Sequence, residues 1–148
     1  MVIYLATGCY WKTEHVIKGF DGVLDTEIGL AYPELDQEAV EAVRVDFDPG
    51  QVSLRELIER FLDFANPLKP DRKGGRWSKY RTGIYWNPGD AASAKIVLET
   101  LDDLEQRLLQ ASDEDAIAFT VEACPIHRFE EADERYQDYL EKHPHIFC

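Results

Sequence analysis

Apolar periodicity switches from strand to helix and back in a fixed order between Val2 and Trp86. Residues 2–6 are short, apolar and ended by Thr7-Gly8, which reads as a buried strand. Residues 10–18 follow as a helix whose N-terminus lies at Cys9 and which Gly19 and Gly22 close. Residues 23–30 alternate as a strand, and residues 41–47 do so almost strictly before the Asp48-Pro49-Gly50 turn. Ser53 with Glu56 three positions on is a capping pattern, and Leu57, Ile58, Phe61 and Leu62 then recur at helical spacing up to Asn66-Pro67. Residues 81–86 form a further strand.

This strand–helix–strand–strand–helix–strand order is the split βαβ pattern, and it predicts an α+β fold, a ferredoxin-like α/β sandwich. Beyond it, residues 90–109 read as a long amphipathic helix, 116–121 as a strand and 128–142 as a last helix. Extra C-terminal helices on the core are therefore expected. A length of 148 residues predicts a single domain, 1–148, with its own core.

The net charge of −13 argues against nucleic acid as a partner, because phosphate binding draws on clustered Lys and Arg. No apolar run approaches the ~20 residues of a membrane span. Residues 1–8 are too short for a secretory leader and carry no basic start. A cytoplasmic monomer is expected. In that compartment the three cysteines rest reduced, so a disulfide reads as catalytic rather than structural.

Cys9 lies between a Gly turn and a helix start, where unpaired backbone N–H groups and the helix dipole favour an anion. Such a position lowers a thiol's pKa from about 8.5 toward neutrality. Gly8 allows the tight turn, while Tyr10 and Trp11 add two aromatic faces that suit a methyl or thioether-like ligand. A buried, inert cysteine at a strand end fits the same spacing, so the residues by themselves leave both readings open.

The segment Thr7-Gly8-Cys9-Tyr10-Trp11-Lys12-Thr13-Glu14 resembles the Gly-Cys-Phe-Trp opening of the peptide methionine sulfoxide reductase A family. The resemblance continues through Phe20-Asp21-Gly22-Val23, Thr26-Glu27-Ile28-Gly29 and the stretch from Glu41 to Pro49. It resumes at Asn66-Pro67 and Lys79-Tyr80-Arg81-Thr82, then at Tyr136 to Leu140 and His143-Pro144 before Cys148. These motifs stand in the family's order and cover most of the chain.

The resemblance implies that Cys9 attacks the sulfur of methionine-S-sulfoxide, free or within an oxidised protein. Methionine leaves and the cysteine becomes a sulfenic acid, which a second thiol resolves as a disulfide. The sulfoxide oxygen must be protonated, and Glu41 matches the family's acid; its apolar neighbours Val40 and Ala42 suggest a raised carboxyl pKa. Tyr80 matches the tyrosine that hydrogen-bonds the sulfoxide oxygen, and Tyr10 and Trp11 would wall the methyl pocket. Glu14 reads as helix support. Cys148 resembles the resolving cysteine of a Tyr-Cys tail, with Cys124 a structural thiol held in reserve. The reductant implied is thioredoxin or another dithiol; no bound cofactor and no metal are implied.

The chain departs from the family pattern between Gly29 and Glu41, where a Gly-Tyr-x-Gly-Gly segment is missing. Tyr32 remains as the stand-in for a second oxygen-binding tyrosine. Lys79 replaces a Gln, and Arg135-Tyr136 replaces a Tyr-His pair. The basic stretch Lys69, Arg72, Lys73, Arg76 and Lys79 reads as a solvated loop.

Two other classes fit part of the pattern. A Cys–His hydrolase would use Cys9 with His127 and would turn over an activated ester rather than a sulfoxide. A redox-sensing or sulfoxide-binding module would oxidise Cys9 reversibly and release no methionine. His143, His145 and Cys148 offer metal donors but lack the paired CxxC spacing of structural zinc.

Overall fold

In the computed structural model, which describes residues 1–34, 38–65, 67, 81–111 and 119–143, the first strand is flanked on both edges. Strand β1 (Val2–Ala6) pairs antiparallel with residues that lie far along the chain on either side. Helix α1 (Tyr10–Lys18) crosses over to β2 (Val23–Pro33), which turns back as β3 (Val40–Phe47). Helix α2 (Leu54–Ala65) leads to β4 (Gly83–Trp86), and helix α3 (Ala91–Ala111) to β5 (Glu122–Glu131). The strand order is β1-β3-β2-β5-β4, with β4 returning to β1, so the sheet closes into a barrel. Every pair is antiparallel except β4 with β5.

Closure divides the core by the period-2 alternation of strand side chains. Two tyrosines and six smaller residues, drawn from all five strands, meet inside the barrel: Tyr4, Ala6, Ala31, Val40, Ala42, Tyr85, Cys124 and Ile126. The outward set, including Ile3, Leu5, Ile28, Val43, Val45, Phe47 and Ile84, packs with Leu57, Ile58 and Phe61 of α2 and Val97, Leu101 and Leu104 of α3. Each such aliphatic or aromatic side chain contributes about 1.5–3 kcal/mol on burial.

The α+β composition expected from the sequence is present, and through α2 the element bounds follow the expectation closely. The capping box is formed: Glu56 N donates to Ser53 Oγ at 3.1 Å and Ser53 N donates to Glu56 Oε1 at 3.4 Å. The sheet adds to the expected pattern a fifth strand that pairs on both its edges, with β2 and with β4.

The C-terminal third is corrected. The strand expected over 116–121 is β5, which begins at Glu122, and residues 112–118 lie outside the described residues. The helix expected over 128–142 is instead the end of β5, a 3-10 turn (Glu134–Tyr136) and a single helical turn, α4 (Tyr139–Lys142). Arg128, Glu130 and Glu131 give this stretch a helix-like composition. Pairing overrides it: the β2 edge needs a partner, and Phe129, opposite Ala31, packs its ring 5.3 Å from that of Tyr4. Asp138, in the left-handed region at φ 56°, then breaks any continuous helix. No helix among the described residues is long and apolar enough to cross a membrane.

Candidate functional site

The site is built at the N-terminus of α1. Gly8 adopts φ 57°, a conformation open to glycine, and turns the chain out of β1. Cys9 is the helix N-cap in extended conformation, half-buried. Its side chain forms no cap hydrogen bond; instead Thr13 Oγ1 lies 2.6 Å from Thr7 O and 3.0 Å from Cys9 O, pinning the turn from within the helix. Thr7 Oγ1 lies 2.8 Å from Thr82 Oγ1, which ties the same turn to the start of β4.

The first-turn amides of a helix have no intrahelical acceptor. Here Tyr10 N donates to Glu41 Oε1 at 3.2 Å. Glu41 stands on β3 opposite Leu30 and is 9% exposed. Cys9 and Glu41 are therefore joined through one peptide unit. Cys9 is disulfide-bonded, whereas Cys124 keeps its thiol, buried inside the barrel opposite Tyr85.

Trp11 is stacked on Tyr139, with ring centroids 4.0 Å apart and planes 10° from parallel. Tyr136 lies 6.4 Å from Trp11, and the His143 ring lies 4.5 Å from that of Tyr139, tilted by 36°. The indole Nε1 is buried and meets no acceptor among the described residues. Tyr10 packs beside it at 6.2 Å. The docked C-terminal segment brings Tyr136 and Tyr139 to the same indole, a placement that spacing in the sequence does not signal.

Glu14 is corrected from helix support to a buried clamp, 1% exposed. Its Oε1 accepts from Asp138 N at 2.9 Å and its Oε2 from Thr26 Oγ1 at 2.9 Å. Burial pushes its carboxyl pKa up, against the pull of those two donors. Its spacing of three from Ile17, which is also buried, is the sequence signal for the buried helix face. Lys18 pairs with Asp138 and with Glu141, and Gln137 exchanges two hydrogen bonds with the Ile28 backbone at 2.7 and 3.0 Å. Together these contacts dock residues 136–143 on α1 and β2.

Tyr32 faces the same side of the sheet as Glu41 but is engaged elsewhere. Its ring lies 3.9 Å below the Arg128 guanidinium, and its hydroxyl, hydrogen-bonded to Glu130, titrates above the usual phenol range. His127 is exposed on β5. Tyr80, Cys148, His145 and the basic loop 69–79 lie outside the described residues. Among the described residues no group of three or more His, Cys, Asp or Glu is arranged to hold a metal.

The family model described as peptide methionine sulfoxide reductase matches residues 1–148. The peptide methionine sulfoxide reductase MsrA of Clostridium acetobutylicum is 31% identical over 99% of this chain and 92% of its own length. That of Mycoplasma pneumoniae is 35% identical over 99% and 95%. Among solved structures, methionine sulfoxide reductase A of Corynebacterium diphtheriae superposes with a TM-score of 0.83 at 25% identity, covering 99% of this chain and 76% of that one. Mxr1 of Saccharomyces cerevisiae in complex with Trx2 superposes at 0.62 with 22% identity, covering 93% and 84%.

Proposed function

This chain belongs to the peptide methionine sulfoxide reductase family, and on that premise we propose that Cys9 is its nucleophile and Glu41 its proton donor. The protein is an oxidoreductase that reduces a methionine-S-sulfoxide at the expense of thiols. The observation that carries the residue assignment is the 3.2 Å hydrogen bond from Tyr10 N to Glu41, which sets a buried carboxyl against the turn bearing the cysteine. No prosthetic group takes part in this scheme.

The Cys9 sulfur attacks the sulfoxide sulfur while Glu41 protonates the oxygen. The attack forms a bond between Cys9 Sγ and the sulfoxide sulfur. The S–O bond breaks, the hydroxyl passes to Sγ as the sulfur–sulfur bond breaks, and methionine leaves with Cys9 as a sulfenic acid. Cysteine is thereby oxidised by two electrons and the sulfoxide reduced by two. A second thiol displaces that oxygen as water and forms the disulfide. Cys148 is assigned as this thiol. The assignment is supported by the Cys9 disulfide together with the burial of the Cys124 thiol inside the barrel. Tyr80 is assigned to the sulfoxide oxygen, and Tyr10 and Trp11, with Tyr139 and Tyr136 around the indole, to the methyl wall. Tyr32, held by Arg128 and Glu130, is assigned to the rim.

For recycling we infer thioredoxin, on the precedent of the yeast Mxr1–Trx2 complex. The order β4-β1-β3-β2 with two crossover helices supports reading residues 2–86 as a split βαβ core that β5 closes within one domain. The test is anaerobic single turnover of reduced protein with each epimer of methionine sulfoxide. One methionine per chain from the S epimer alone, with two thiols consumed, is expected; no methionine from either epimer would overturn the assignment.

A further inference from the structure

Arg81 is a buried cation that none of these steps uses, its side chain 5% exposed. With Thr82 it forms the lead-in to β4, directly after Tyr80. Its Nε donates to Glu122 Oε1 at 3.1 Å, and its Nη2 donates to the backbone carbonyl of Glu38 at 2.8 Å. Glu122 Oε1 also accepts from the Tyr85 hydroxyl at 2.6 Å. Tyr85 is fully buried, and burial followed by the Glu122 charge keeps its phenol protonated well above the usual range, so it remains a donor.

The two ends of this network address the two sides of the site. The Glu38 carbonyl lies three residues before Glu41, on the chain that enters β3. Thr82 bonds Thr7, two residues before Cys9. A guanidinium presents its donors in a rigid fork, so a carboxylate that fixes Nε also fixes where Nη2 points. Burying a charge this deeply is unfavourable unless it is paired and hydrogen-bonded, and here Glu122 supplies both. An apolar residue would fill the space at lower cost; a fork aimed at the lead-in of the acid's strand does something packing cannot.

We propose that Arg81 is a positioning residue for the sulfoxide step: anchored by Glu122, it grips the Glu38 carbonyl and holds the Glu41 carboxyl in register with the Cys9 turn. This rests on the reading of Glu41 as the acid. Small displacements of a proton donor are costly because transfer requires hydrogen-bond distance.

The test compares wild type with Arg81→Lys, Glu122→Gln and Glu41→Gln in single-turnover reduction of methionine-S-sulfoxide across pH. Alkylation of Cys9 by iodoacetamide is followed by peptide mass spectrometry. Lysine keeps the charge but has no fork. Arg81→Lys is expected to lower the saturating rate at least about tenfold and change its pH profile. The half-saturating sulfoxide concentration and the Cys9 alkylation rate are expected to stay within about twofold. Glu122→Gln, which keeps an acceptor but loses the charge, is expected to show a smaller loss of about threefold. A folded Arg81→Lys with the wild-type rate and profile overturns the proposal, as does a loss matched by equal slowing of Cys9 alkylation. If Arg81→Lys does not fold, a wild-type rate and profile for Glu122→Gln overturns it. A wild-type rate for Glu41→Gln would sink the acid reading itself, whatever Arg81→Lys does.

Discussion

Glu14 concentrates at one residue the electrostatics of the docked C-terminal segment. Both of its oxygens accept hydrogen bonds, yet burial dominates and raises its pKa above the ordinary 4.5. The folded state therefore holds this proton more tightly than the unfolded chain. Its contribution to stability is complete below the unfolded pKa and is lost as pH rises through the folded one. In Glu14→Gln the amide oxygen can accept from Asp138 N while the amide nitrogen donates to Thr26 Oγ1. The variant should accordingly gain on wild type as pH rises above the ordinary carboxyl value of 4.5 when urea midpoints are compared. A difference that does not change with pH would show that Glu14 is ionised without penalty in the fold.

At the scale of elements, the β2–β5 pairing carries the consequence. It seats the chain that leads to Tyr136 and Tyr139, and it closes the barrel. Gly29 stands in β2 opposite Glu131, and a Cβ there would meet the Glu130 carbonyl oxygen at 2.2 Å and Phe129 Cζ at 2.7 Å. The backbones approach too closely for any side chain, which gives this glycine a steric role. Gly29→Ala should cost about 1–3 kcal/mol through overpacking, read as a lowered denaturation midpoint. It should also weaken the stack on Trp11, whose fluorescence reports the approach of Tyr139. An unchanged midpoint would mean that β5 can shift without loss.

For the whole molecule, the arrangement separates a disulfide-bonded cysteine from a buried thiol. Cys9 is in a disulfide at the mouth of the barrel, while Cys124 sits among Tyr85, Ala31 and Ile126 within it. Cys148→Ser should still yield one methionine per chain but should stop thioredoxin-driven turnover. Cys124→Ser should leave both rates near wild type; the opposite pattern in steady-state assays would move the resolving role to Cys124. Much of this was legible in the chain alone. Bounds through α2, the Ser53–Glu56 cap and the Cys9 turn follow from local spacing, because capping, turns and periodicity are short-range. Cys9 is nominated by its place at that turn, whereas Glu41 is nominated by the family resemblance. Only the tertiary structure decided that residues 128–131 extend β5, that Glu14 is a clamp, that Trp11 is stacked on Tyr139, and that Arg81 reaches the lead-in to Glu41. Each of these depends on partners tens of residues away: the β2 edge for β5, Asp138 for Glu14, Glu38 and Glu122 for Arg81. A charged residue's sequence neighbourhood records its solubility, whereas its partner is set by how the chain closes.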